Sequence, residues 1–137
     1  MVQQMENAES AMGLVEDPVR PQLKSAIKDL MLYEAVKGVA IIRRDGALIE
    51  SNISPSLDLR QVALSGAALA NTAEMCSNEM QRGEFEQVIC DCDAGSIVCV
   101  GAGQDSVLAC VVDDKGGLGS LLIVIGKAAE KVSKILA

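Results

Sequence analysis

The sequence predicts one α+β domain arranged as three α/β/α layers, in the order α-β-β-α-β-β-β-α, and three observations carry that prediction. Val39-Ala40-Ile41-Ile42 is an unbroken apolar run, the pattern of a strand buried on both faces, so its sheet needs helices on each side. Apolar residues at three- and four-residue spacing recur before this strand, after its partner and at the C-terminus. Asp45-Gly46 between two β-rich runs marks a hairpin, which makes the first two strands antiparallel neighbours.

The chain has 137 residues, half of them apolar, which fits a single core and leaves little material for a second. With one Phe, one Tyr and no Trp, that core is drawn from Val, Ile, Leu, Ala, Met and Cys. Residues 1–20 read as an N-terminal extension, because Pro18 and Pro21 interrupt any helix there, and residues 21–137 read as the domain.

Pro21 suits the first turn of the opening helix. Leu23, Ala26, Ile27, Leu30 and Met31 fall on one face of it, opposite Lys24, Lys28 and Asp29, and the helix is expected to end near Lys37-Gly38. The hairpin follows as Val39–Arg44 and Ala47–Ser51, with a two-residue type I′ turn expected at Asp45-Gly46. Ser54-Pro55-Ser56 then separates it from a long helix, Asp58 to about Arg82, with Asp58 as N-cap and Gly83 as the residue beyond its end.

Along this second helix Leu59, Val62, Ala63, Gly66, Ala67, Ala70, Ala73 and Met80 form one stripe, and Leu57, Leu64, Ala68 and Met75 form another. A surface helix needs only one apolar stripe, so two of them predict a contact beyond the sheet. Three β-type runs follow, Phe85–Cys92, Ser96–Gly101 and Ser106–Asp113, with connections too short for anything but an antiparallel meander. After Lys115-Gly116-Gly117, the spacing of Leu121, Leu122, Ile125, Ala128, Ala129, Val132 and Ile135 predicts a closing helix, with Lys127, Lys131 and Lys134 toward its C-terminal end.

Charge and composition set aside several classes of function. A formal net charge of −7 opposes nucleic-acid phosphates and anionic lipid headgroups, so neither is an expected partner. No apolar run approaches the roughly 20 residues of a membrane-spanning helix, and the polar start lacks a signal-peptide pattern, which predicts a cytoplasmic protein with no membrane insertion. The chain has no histidine, so the commonest general base and zinc ligand are missing and no enzyme, cofactor or metal is expected.

Five cysteines, Cys76, Cys90, Cys92, Cys99 and Cys110, lack disulfide-framework spacing and are expected to pack in the core. Gly101-x-Gly103 and Gly116-Gly117-x-Gly119 fit neither a P-loop nor a dinucleotide fingerprint and read as turns. Asp91/Asp93 and Asp113/Asp114 read as solvated strand ends.

Taken in order, Gly38-Val39-Ala40-Ile41-Ile42 with Asp45-Gly46, the long small-residue helix, Gly103-Gln104-Asp105-Ser106-Val107-Leu108 and Leu118-Gly119 resemble the roadblock family. That family includes dynein light chains and bacterial and archaeal GTPase regulators. The resemblance spans Leu23 to Leu136 and implies a five-stranded antiparallel sheet, with the long helix on one face and the other two helices on the opposite face. It also implies a homodimer formed by joined sheet edges and paired long helices.

On that basis the expected interface comprises Val62, Gly66, Ala67, Ala70 and Ala73 on the helix and Phe85, Val88 and Cys90 on the edge strand. The function expected is non-catalytic binding and regulation or localisation of a Ras-like small GTPase. Of Arg43, Arg44, Arg60 and Arg82, Arg60 and Arg82 are the candidates to face that GTPase. One alternative is a scaffold or motor-adaptor subunit that binds peptides or other roadblock-type chains; a thiol-redox or ligand-sensing protein is the remaining one.

Overall fold

A computed structural model describes residues 19–113 and 117–137. The expected extension over residues 1–20 lies outside them except for Val19 and Arg20, as does the glycine turn before the last helix except for Gly117. The elements are α1 (Val19–Lys28), a 3-10 turn (Asp29–Leu32), β1 (Val36–Arg43), β2 (Leu48–Ile53), α2 (Leu59–Glu79), β3 (Gln87–Cys92), β4 (Gly95–Gly101), β5 (Ser106–Val112) and α3 (Leu118–Leu136). The five strands form one antiparallel sheet in the order β2-β1-β5-β4-β3.

The sheet is covered on both faces, because its central strands alternate large and small apolar residues. Val39, Ile41, Val98, Leu108 and Cys110 point to the layer of α1 and α3 and meet Leu23, Ile27, Leu30, Ile125 and Val132. Ala40, Ile42, Cys99, Val107 and Ala109 point the other way and meet Ala63, Ala67 and Ala70 of α2. The three-layer arrangement read from the doubly buried first strand is therefore what the chain forms, and the periodic stretches supply the helices on their expected sides.

The first helix is shorter than its periodicity predicts. It starts at Val19 with Pro21 in its first turn, passes into the 3-10 turn at Asp29, and gives way to a strand that begins at Val36. The Tyr33 N–H donates to the Leu30 carbonyl at 3.2 Å and the Val36 N–H to the Tyr33 carbonyl at 3.0 Å, so two tight turns replace the last helical turn. Val36 then joins the core instead of a helix face.

The hairpin lies where Asp45-Gly46 places it, but its turn differs from the expected I′ type. Gly46 alone has a left-handed φ, +93°, and the Gly46 N–H donates to the Arg43 carbonyl at 2.9 Å while the Arg43 N–H donates to the Ala47 carbonyl at 2.8 Å. This is a three-residue loop over Arg44, Asp45 and Gly46, in which the Asp45 carboxylate accepts the Ala47 N–H at 2.9 Å. A bulge places Glu50 opposite Ile41 and Leu48 opposite Ile42, so Ile49 and Glu50 are both buried. Arg20 meets Glu50 across 3.2 Å and donates to the Ile49 carbonyl at 2.9 Å, which pairs the buried carboxylate.

Candidate functional site

The long helix α2 begins where its sequence signals predict. The Asp58 carboxylate accepts the Arg60 N–H at 2.9 Å and the Gln61 N–H at 3.4 Å, capping the first turn. The other end closes on Gln81 and not on Gly83: Gln81 takes the left-handed φ of +56°, its N–H reaches the Asn78 carbonyl, and the Arg82 N–H reaches the Ser77 carbonyl at 2.9 Å. That pair of bonds is a Schellman closure, normally a glycine position.

Gly66, Ala67 and Ala70 are buried against the chain's own sheet. A Cβ on Gly66 would lie 2.8 Å from Ile42 Cδ1 and 3.0 Å from Ala109 Cβ, so a glycine is what lets α2 sit so low over β1 and β5. This corrects the expectation that these three small residues meet a second helix: the close approach they permit is to the sheet beneath them. Val62 and Ala73, from the same predicted set, are half-buried, and Val62 packs with Leu69 against the edge of this cluster.

The other stripe turns away from the sheet. Leu64 is 54% exposed and Met75 57%, with Ala68 exposed between them, and Met80, grouped by spacing with the first stripe, is 68% exposed just past the helix. Leu57, grouped with them by spacing, instead lies over Gly38 and is half-buried. The apolar surplus read from the two stripes is present on the single chain, with its membership corrected by two residues, since Leu57 leaves it and Met80 joins it.

β3 ends the sheet, and no strand among the described residues pairs with its outer side. Its register with β4 puts Val88 opposite Cys99 and Cys90 opposite Ile97, so Val88 and Cys90 face the α2 layer, where both remain half-buried. The Gly101 N–H donates to the Glu86 carbonyl at 2.9 Å, which by antiparallel alternation turns the backbone groups of Val88 and Cys90 toward β4 and those of Gln87 and Ile89 outward. The edge thus offers a ladder to another strand.

Phe85 is half-buried beneath the Arg44 guanidinium, 5.5 Å from its ring centroid. Arg44 also pairs with Glu74 of α2, its carbonyl accepts the Asn71 side-chain amide at 2.9 Å, and its N–H donates to the Asp105 carbonyl at 3.0 Å. The hairpin turn, the β4–β5 turn, α2 and the approach to β3 meet on this one arginine. The sequence holds no local signal for it, since Asn71 and Glu74 lie 27 and 30 residues away along the chain and Phe85 and Asp105 farther still.

Arg60 and Arg82 are both exposed, but they flank opposite ends of a 21-residue helix. At about 1.5 Å per residue they stand on the order of 30 Å apart, too far to serve one phosphate group together. The structure also divides the cysteines. Cys99 and Cys110 are buried in the core as expected, and burial pushes both thiols up to about 12. Cys90 is half-buried and Cys76 and Cys92 are exposed, which corrects the core-packing expectation for these three.

Among the described residues no helix is long and apolar enough to cross a membrane. Comparison with known proteins agrees with the architecture. The Roadblock/LC7 domain model matches residues 24–112. Two uncharacterised proteins of Methanocaldococcus jannaschii are 31% and 30% identical over 104 residues, covering 76% of this chain and 90% of each of theirs. Among solved structures, MglB of Myxococcus xanthus superposes with a TM-score of 0.79 at 20% identity, covering 88% of this chain and 91% of that one. The gliding protein MglB of Thermus thermophilus gives 0.78 at 14% identity, covering 88% and 93%. A Roadblock/LC7 domain of Streptomyces avermitilis gives 0.74 at 15%, covering 82% and 96%. At these identities the structural likeness is one of fold; with the family model matching well over half of the chain, the chain belongs to the Roadblock/LC7 domain family.

Proposed function

We propose that the protein is a non-catalytic homodimeric interaction module that binds a Ras-like small GTPase and regulates or localises it. The observation that supports this most directly is the unfinished side of the molecule. An edge strand with outward backbone groups, half-covered Val62, Leu69 and Val88, and an exposed Leu64–Met75 stripe lie on and around a single helix. A two-fold partner adding its own β3 and α2 would satisfy the edge and cover apolar surface in one step. The GTPase follows from the family resemblance, which includes GTPase regulators.

Sedimentation at micromolar concentration tests the first part. A specific interface buries on the order of 1,600 Å² in total, so a stable dimer is expected, and a persistent monomer overturns the reading. Ile89→Pro removes an outward N–H without removing a bond to β4, so it is expected to halve the mass while leaving the chain folded. Capture from native extract with GTP and GDP analogues supplied separately tests the second part. Nucleotide-dependent recovery of a small GTPase is expected; recovery of only nucleotide-independent partners favours the scaffold role.

A further inference from the structure

Cys90 and Cys92 sit two residues apart on β3, so their side chains leave the same face, and their sulfurs are 3.8 Å apart. Both belong to the accessible group of thiols, unlike Cys99 and Cys110 inside the core. A Zn–S bond of about 2.3 Å and tetrahedral angles set neighbouring sulfurs about 3.8 Å apart, so the pair already spans one edge of a tetrahedral thiolate site. Strand geometry argues against the competing use of the pair. Two residues along a strand place their Cα atoms roughly 6.4–6.8 Å apart, at the upper limit of what a disulfide bridges.

One chain supplies only half of such a site, and among the described residues no three Cys, Asp or Glu groups converge on one point. The missing half has a source in the dimer proposed above. A two-fold axis perpendicular to the sheet keeps Cys90 and Cys92 of both copies on one face. With the axis beside Asp91, each Cys90 stands opposite the Cys92 of the second copy, in pairs whose Cβ atoms lie about 4.5–5.5 Å apart. Four sulfurs then surround one centre.

We propose that Cys90 and Cys92 chelate a thiophilic divalent ion of the Zn²⁺ class, and that two copies joined along β3 complete a four-thiolate site that staples the dimer. Binding is a ligand exchange: each thiol gives its proton to solvent, each sulfur donates a lone pair to the metal, and no electron is transferred. The four-thiolate form rests on the dimer reading; the dithiol alone does not.

The test is titration of the reduced full-length protein with Co²⁺ and Zn²⁺, with sedimentation before and after metal. Expected are the absorption bands of tetrahedral thiolate-bound Co²⁺, one ion per two chains, and affinity at least tenfold weaker in Cys90→Ser and in Cys92→Ser but unchanged in Cys76→Ser. A metal-free dimer that takes up no ion, or a Cys90→Ser/Cys92→Ser variant that binds as tightly as the parent, overturns the metal site and leaves the dimer standing. A monomer binding one ion per chain overturns the four-thiolate staple together with the dimer reading.

Discussion

On one face of the sheet α1 and α3 press Leu23, Ile27, Leu30, Ile125 and Val132 onto Val39, Ile41, Val98 and Leu108. On the other, α2 alone lays Ala63, Gly66, Ala67 and Ala70 onto Ala40, Ile42, Cys99, Val107 and Ala109. The first face is filled by bulk from two helices, and the second by close approach of one. Burial of large side chains supplies most of the apolar area removed from water, so the α1/α3 face carries the stability of the fold. A single low helix leaves Val88 and Cys90 half-covered and its own Leu64 and Met75 in solvent, so the α2 face carries the surface left for another chain.

Substitutions break this contrast in a definite order. Ile125→Ala empties a fully buried position between α3 and the sheet and is expected to cost about 2–5 kcal/mol in urea unfolding. Gly66→Leu acts on the opposite face by overpacking. Its Cβ meets Ala109 Cβ at 3.0 Å, so the helix must lift, at an expected cost of about 1–3 kcal/mol. Equal losses from the two would mean that both faces carry the core alike.

The thiols sharpen the contrast through pH. Cys99 faces α2 and Cys110 faces α1 and α3, and each is raised from an ordinary 9.0 to about 12 by burial first, with a neighbouring thiol second. Between pH 9 and 12 the unfolded chain has released these protons and the folded chain still holds them. Stability is therefore complete below pH 9 and falls as pH rises, by on the order of 1.4 kcal/mol per pH unit for each thiol. Cys110→Ala is expected to flatten that alkaline slope by about half. At pH 8 a thiol reagent is expected to modify the exposed Cys76 at once, and Cys99 and Cys110 only on unfolding.

Much of the fold was legible because its signals are local. The alternation of Val39–Ile42, Asp58 as a cap and the spacing from Leu121 to Ile135 each act within a few residues of themselves. What escaped depends on partners distant in sequence. Two apolar stripes on α2 announce two contacts but not which stripe meets the sheet, so spacing alone leaves Gly66, Ala67 and Ala70 free to face a second helix, and only the fold brings Ile42 and Ala109 against Gly66. Leu30 and Met31 continue a helical period, yet the chain tightens there because Val36 is needed in β1. Arg44 carries no motif, and only the folded chain brings Glu74, Asn71 and Phe85 to it.

The smallest expected change in folding stability belongs to the outer side of α2. Leu64 and Met75 are more than half exposed and lie in none of the buried clusters. The double variant Leu64→Asp/Met75→Lys is therefore expected to keep the folded chain within about 0.5 kcal/mol of the parent at concentrations where only monomer is present. Its value lies in the comparison with Ile89→Pro, which acts only at the β3 edge. If a second copy covers the helix as well as the edge, both variants sediment as monomers. If the helix variant remains a dimer and loses only the captured GTPase, the second copy meets the edge alone. The Leu64–Met75 stripe then belongs to the GTPase, and the two parts of the unfinished face divide the two partners between them.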